Sequence, residues 1–238
     1  MPNSKLLIKV YNFILDLLFP KHCVGCSKEG EWICKTCFSK IILIQKPTCS
    51  GCNRLEAKGK FCSICREKTN LTGLIVAAYY KEGSLKEAIH TFKYDGVFDL
   101  ANELSLVLKS ALEKRNFKTA QFISVPLHRK RQAERGYNQT ELLIKKLMVN
   151  NNKWQIIKNK LIRHKYTKKT QVQLSGKARR NNIKGCFKWM GSKDELKDKR
   201  VILVDDVYTT GSTLEECAKV LRNEANVGEI WGLVLAKA

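Results

Sequence analysis

Residues Val201 to Thr213, reading VILVDDVYTTGST, constrain the fold of this chain more than any other stretch. Val201, Ile202, Leu203 and Val204 form an apolar run rich in β-branched side chains. Such a run suits a strand covered on both faces, as in a parallel sheet. Asp205 and Asp206 follow at once, then Thr209, Thr210, Gly211, Ser212 and Thr213. That loop offers hydroxyls and backbone N–H groups at the start of a helix expected from about Thr213 to Asn223, a geometry that binds a phosphate monoester. Two carboxylates beside a phosphate cradle repel it unless something else occupies them. A sugar diol does so by donating hydroxyl hydrogen bonds, and a bound Mg²⁺ does so by charge.

Eight of the ten cysteines lie between residues 23 and 65, as Cys23/Cys26, Cys34/Cys37, Cys49/Cys52 and Cys62/Cys65. Each CxxC turn presents two thiolates to one metal, and a second turn completes a tetrahedron. The sequential grouping puts the first four on one zinc and the last four on another; an interleaved cross-brace is the alternative. Gly25 and Gly51 sit inside the first and third turns, where a knuckle often needs positive φ. With four protein thiolates each, both sites are closed, so the zinc is structural. So short a segment cannot build its own core, and metal binding supplies the missing free energy. Cys186 and Cys217 stand alone and read as packing residues.

The chain has 238 residues, enough for one sizeable core and a small satellite domain. Its net charge of +22 points to a polyanionic partner, with nucleic acid ahead of anionic lipid. From Leu127 to Met190 there are 18 Lys/Arg against 2 Glu. The candidates for nucleic-acid contact here are Lys168, Lys169, Arg179, Arg180 and Lys184. The first segment is apolar at positions 6, 7, 10, 13, 14, 17 and 18, the spacing of an amphipathic helix. Asp16 breaks the run, no cleavage site follows, and the run is too short to span a bilayer, so we expect a cytoplasmic chain without stable membrane insertion.

From residue 73 strands and helices alternate, which argues an open parallel sheet with helices on both faces. Strands are expected at Gly73–Tyr80, Gln121–Val125, Lys199–Val204 and Glu229–Ala236, with strand or edge structure over Trp154–Arg163. Helices are expected at Leu85–Phe92, Phe98–Arg115 and about Asn138–Val149. Residues 163–187 read as a mobile basic loop running into a short helix. The expected division is 1–19 helix, 20–70 double ribbon and 71–238 α/β domain. Ligands in such sheets sit beyond the strand C-terminal ends. Arg129, Lys130 and Arg131 follow one such end and concentrate the positive charge a diphosphate needs. No general base stands out; His90 and His128 are candidates only by default.

The VDDVYTTGST stretch resembles the phosphoribosyl-diphosphate (PRPP) signature of type I phosphoribosyltransferases. Adding the CxxC ribbons, Phe92-Lys93-Tyr94, PLHRKRQAERGYNQ and the TQxxLSxxxRxxNxxGxF pattern, the whole chain resembles the ComF family of competence-associated phosphoribosyltransferase-like proteins. That resemblance implies ribose hydroxyls on Asp205 and Asp206, directly or through Mg²⁺, and a 5-phosphate on Thr209, Thr210, Gly211, Ser212 and Thr213. It implies diphosphate at Arg129, Lys130 and Arg131, with Arg179, Arg180 and Asn182 near the site or on DNA. It also implies single-stranded DNA and a competence helicase as partners. An active Mg²⁺-dependent transferase with an unknown acceptor is the alternative reading.

Overall fold

The structure, a computed structural model, describes residues 20–55, 59–115, 117–149, 151, 153–167 and 176–238. The helix expected over 1–19, and Lys168 and Lys169, lie outside these. In chain order the main elements are α1 (Lys35–Ser39), α2 (Ser63–Arg66), β1 (Gly73–Tyr79), α3 (Ser84–Tyr94), α4 (Ala101–Glu113), β2 (Ala120–Ser124), α5 (Arg129–Arg135), α6 (Gln139–Leu147), β3 (Trp154–Ile156), β4 (Leu161–Arg163), α7 (Gly176–Ile183), β5 (Phe187–Trp189), β6 (Arg200–Tyr208), α8 (Ser212–Ala225) and β7 (Glu229–Lys237).

Five strands form one parallel sheet in the order β1-β7-β6-β2-β3. The central strand β6 alternates between two cores, as a strand's period of two requires. Ile202 and Val204 join the cluster under α3, α4 and α6, while Val201 and Leu203 join the cluster under α8. All four are buried. Cys217 and Cys186 are buried in the second cluster, as packing residues.

Two expectations are corrected. The motif strand does not stop at Val204. It carries both acids and runs to Tyr208, because β7 continues beside it from Val234, opposite Asp205, to Lys237, opposite Tyr208. Trp154–Arg163 is not one element. β3 pairs with β2, and after a left-handed residue at Asn159 (φ 59°) β4 pairs antiparallel with β5 in a separate two-stranded sheet. The short helix expected within residues 163–187 is α7, which packs on α8 and is followed by β5 from Phe187.

The ribbon segment closes an edge of the large sheet. Ile44 N–H donates to Ala77 C=O (2.9 Å) and Tyr79 N–H to Ile42 C=O (3.1 Å). Farther along β1, Leu74 N–H donates to Gly59 C=O (2.9 Å) and Phe61 N–H to Thr72 C=O (3.1 Å). An exposed strand edge would otherwise template aggregation. Among the described residues no helix is long and apolar enough to cross a membrane.

Candidate functional site

The eight cysteines gather in the sequential arrangement: Cys23, Cys26, Cys34 and Cys37 in one group, Cys49, Cys52, Cys62 and Cys65 in the other. Within each group the Sγ atoms lie within 4.8 Å of one another. A tetrahedral Zn–S₄ centre with ~2.3 Å bonds needs sulfur separations of about 3.8 Å, so the donors fit the ion. None of the ten cysteines forms a disulfide.

The two ribbons repeat each other locally. Cys34 N–H donates to Cys23 Sγ (3.3 Å), and Cys62 N–H donates to Cys49 Sγ (3.4 Å). Ser27 and Asn53 each take φ 60° just after the knuckle. The positive φ therefore falls one residue beyond the first and third CxxC and not on Gly25 or Gly51. Those glycines answer a different need, close approach. A Cβ on Gly25 would lie 2.9 Å from Cys37 Sγ, and one on Gly51 would lie 2.7 Å from Cys65 Sγ.

The second ribbon is fastened to α8. Glu215 accepts hydrogen bonds from Thr69 Oγ1 (2.6 Å), Asn70 N–H (2.9 Å) and Asn70 Nδ2 (2.5 Å). Arg222 Nε donates to Asn70 C=O (2.6 Å). Lys237 Nζ, at the end of β7, donates to Ser50 C=O (2.9 Å).

At the C-terminal end of β6 the two acids part company. Asp206 turns to α3, where Lys93 Nζ meets its Oδ1 at 2.8 Å. Asp206 Oδ1 also accepts from Val207 N–H (2.6 Å). Lys93 is positioned from behind, since Tyr137 Oη donates to Phe92 C=O and Gln139 Nε2 to Lys93 C=O (3.4 Å). Burial alone would lower the Lys93 pKa, but the Asp206 and Asp205 carboxylates outweigh it and the pKa rises. Asp205 lies toward the other face, in the field of Arg163 on β4 and of Cys217. Burial and then the neighbouring Asp206 push its pKa up to about 7.

Beyond Tyr208 the loop turns on Gly211, whose φ of +73° and packing under the Tyr208 ring leave no room for a Cβ. Thr210 Oγ1 and Ser212 Oγ are 2.9 Å apart, and α8 begins at Ser212, one residue before the expected start. Thr210, Gly211 and Ser212 face a cleft of about 510 Å³ that is also lined by Gly51, Cys65 and Lys184. The second ribbon thus shares a cleft with Thr210, Gly211 and Ser212, one that runs along α8 past Glu215, Glu216 and Lys219.

Arg129, Lys130 and Arg131 occupy α5, directly beyond β2 and so at the same end of the sheet. Among the described residues no ion pair joins Arg129 or Lys130 to either acid. Arg163 feels the charges of both Arg131 and Asp205, but burial is the largest influence on it and lowers its pKa. His128 caps α5, its Nδ1 accepting from Lys130 N–H (3.2 Å). Burial and the surrounding Arg163, Lys130, Arg129 and Arg131 lower its pKa. His90 stacks on Tyr94. Arg179 and Arg180 belong to α7, with side chains outside the described set, and Lys184 follows it, exposed.

Lys93 and Arg163 were given no role from sequence. Lys93 had a visible signal, a cation directly after Phe92 on an amphipathic helix. Arg163 had none, because its place depends on a bridge to His128, 35 residues earlier, beyond the end of β2.

A double zinc ribbon domain family matches residues 14–66, and a phosphoribosyl transferase domain family matches residues 133–230. The chain is 36% identical to Competence protein F of Haemophilus influenzae over 90% of its own length and 96% of the relative's. It is 31% identical to DNA utilization protein YhgH of Escherichia coli K12, covering 86% of this chain and 91% of that one. It is 24% identical to Competence protein ComFC of Bacillus subtilis, covering 89% and 86% respectively. With a relative 36% identical over 90% of this chain, and both a double zinc ribbon and a phosphoribosyl transferase domain matched, this chain belongs to the ComF family.

Proposed function

We propose that this protein handles incoming DNA during uptake, binding PRPP at the end of β6 and single-stranded DNA on its basic surface. The observation that carries the PRPP reading is the combination at β6–α8. A left-handed Gly211 opens a hydroxyl-rich loop onto a 14-residue helix, and two carboxylates precede it on the same strand. Thr209, Thr210, Gly211, Ser212 and Thr213 take the 5-phosphate at the positive end of α8. Asp205 and Asp206 take the ribose hydroxyls, and Arg129, Lys130 and Arg131 the diphosphate. Magnesium, bound with PRPP at the two acids, supplies neutralising charge for the diphosphate. Asp205 fits such a ligand, because a pKa near 7 marks a carboxylate short of positive charge. The names of the relatives, a competence protein and a DNA utilization protein, support the uptake role; a cytoplasmic setting and a helicase partner belong to the proposal.

Calorimetric titration with Mg²⁺-PRPP tests the site. The wild type binds, and Asp205→Asn with Asp206→Asn abolishes binding while zinc content stays the same. Unchanged affinity in that variant overturns the assignment. For DNA, the logarithm of affinity for a single strand should fall with the logarithm of salt, by about 0.7 per phosphate neutralised.

A transferase reading has one observation in its favour. A cavity of about 520 Å³ beyond β2 is lined by Ile157, Leu161 and Ile162 together with Asn138 and Glu141, room and polarity for a heterocyclic acceptor. Diphosphate release from PRPP across a screen of bases and nucleic acids tests it, and absence of release rejects it.

A further inference from the structure

The helix α5 has no buried residue, yet aromatic rings bracket it. At its start Lys130 Nζ lies 5.1 Å from the centre of the Tyr166 ring, which also meets the His128 ring at 5.0 Å. At its end Arg135 Cζ lies 5.2 Å from the centre of the Tyr94 ring. Beside Tyr94, Phe98 packs edge-on against Tyr137 at 4.4 Å. Tyr94, Phe98 and Tyr166 are 55%, 52% and 37% exposed, high values for rings that lie against neighbours. Four of the seven α5 residues are cationic and one, Glu134, is acidic.

Cations alternating with accessible rings are the chemistry of single-strand recognition. Phosphates meet Arg and Lys, while unstacked bases find a π-face. A duplex offers no free base faces to such rings, and an acidic peptide would use the charge but not three separated aromatics. Lys130 and Arg135 are five residues apart, about 7.5 Å along and about 140° around the helix axis, so the two ring sites lie on opposite sides of α5 and a strand that engages both crosses the helix.

We propose that α5, with Tyr166 on one side and Tyr94 and Phe98 on the other, is the ridge across which single-stranded nucleic acid binds. The inference rests on the nucleic-acid reading above and gives it a surface other than the Lys168–Lys184 stretch. Tyr94 is adjacent to Lys93, the partner of Asp206, so a strand crossing this ridge passes beside the sugar-phosphate site.

Fluorescence anisotropy with a labelled, unstructured single-stranded oligonucleotide tests the ridge. Tyr94→Ala with Phe98→Ala, and Tyr166→Ala, should each weaken binding at least about fivefold per ring removed. Tyr94→Trp and Tyr166→Trp should retain it, since the π-face is kept. Arg135→Gln should reduce the salt slope by about 0.7. Zinc content and the far-UV circular dichroism spectrum serve as readouts that each variant is folded, and both should match the wild type. Wild-type binding with undiminished affinity in the ring variants overturns the ridge and leaves the DNA reading standing. No binding by the wild type at low salt overturns the DNA reading and the ridge with it.

Discussion

Asp205 is ionised at the cost of both burial and the Asp206 charge beside it, and its pKa stands near 7 against 3.8 for the free group. The ligand-free protein therefore binds more protons than its unfolded chain between about pH 4 and pH 7. Stability falls as pH rises through that window and levels off above it. Asp205→Asn removes the penalty. Thermal melts should show this variant more stable than wild type at pH 8 by about 1–3 kcal/mol, and indistinguishable near pH 4. A variant that loses stability at pH 8 would mean the carboxylate is already well compensated in the free protein. Gly25 and Gly51 give a second residue-scale expectation. Alanine at either places a methyl group within 3 Å of a ligand sulfur, so each should weaken zinc retention in its own ribbon. Competition with a chromogenic chelator would report one labile and one retained zinc per chain. Both features show where residue-level reading stops. The glycines were visible in the sequence, but their reason, contact with Cys37 and Cys65, depends on how α1 and α2 return the last thiolate of each set.

Most elements followed from local pattern. The apolar runs of β1, β2, β6 and β7 and the amphipathic spacing of α3, α4 and α6 declare themselves. The misread segment was Trp154–Arg163, where two three-residue strands in different sheets have no periodicity of their own to display. Their partners, β2 and β5, define them. The connection between ribbon and α8 was equally hidden, since Glu215 and Asn70 are 145 residues apart. Glu215→Ala leaves Asn70 N–H and Thr69 Oγ1 without this acceptor and should cost about 1–3 kcal/mol. Limited proteolysis should then cut first between residues 66 and 72. Unchanged resistance there would show that Arg222 and the sheet-edge bonds hold the ribbon without Glu215.

For the whole molecule, the ribbons are part of the sheet's architecture as well as metal sites. Removal of zinc should unfold the ribbon segment, since structural zinc contributes roughly 10–16 kcal/mol of apparent binding free energy in small domains. The strips at Ile42–Ile44 and Gly59–Phe61 would then leave β1, exposing its edge. Hydrogen exchange after chelation should show Leu74 and Tyr79 amides losing protection while β6 amides keep theirs. The protein should also aggregate through the freed edge. Equal loss of protection across the sheet would instead make ribbon and sheet a single cooperative unit.

By itself the sequence determined the metal donors, the parallel α/β class and the loop at residues 209–213. These rest on short-range chemistry, with ligand spacing, strand hydrophobicity and turn residues written within a few positions of one another. The tertiary structure decided which carboxylate faces which partner, because neighbours on a strand point to opposite faces and only α3 and β4 determine what waits there. It also decided that the second ribbon shares a cleft with Thr210, Gly211 and Ser212 along α8, and that aromatic rings from two distant segments flank α5. Those arrangements depend on side chains separated by tens of residues or more, whose meeting is fixed by the order of strands in the sheet.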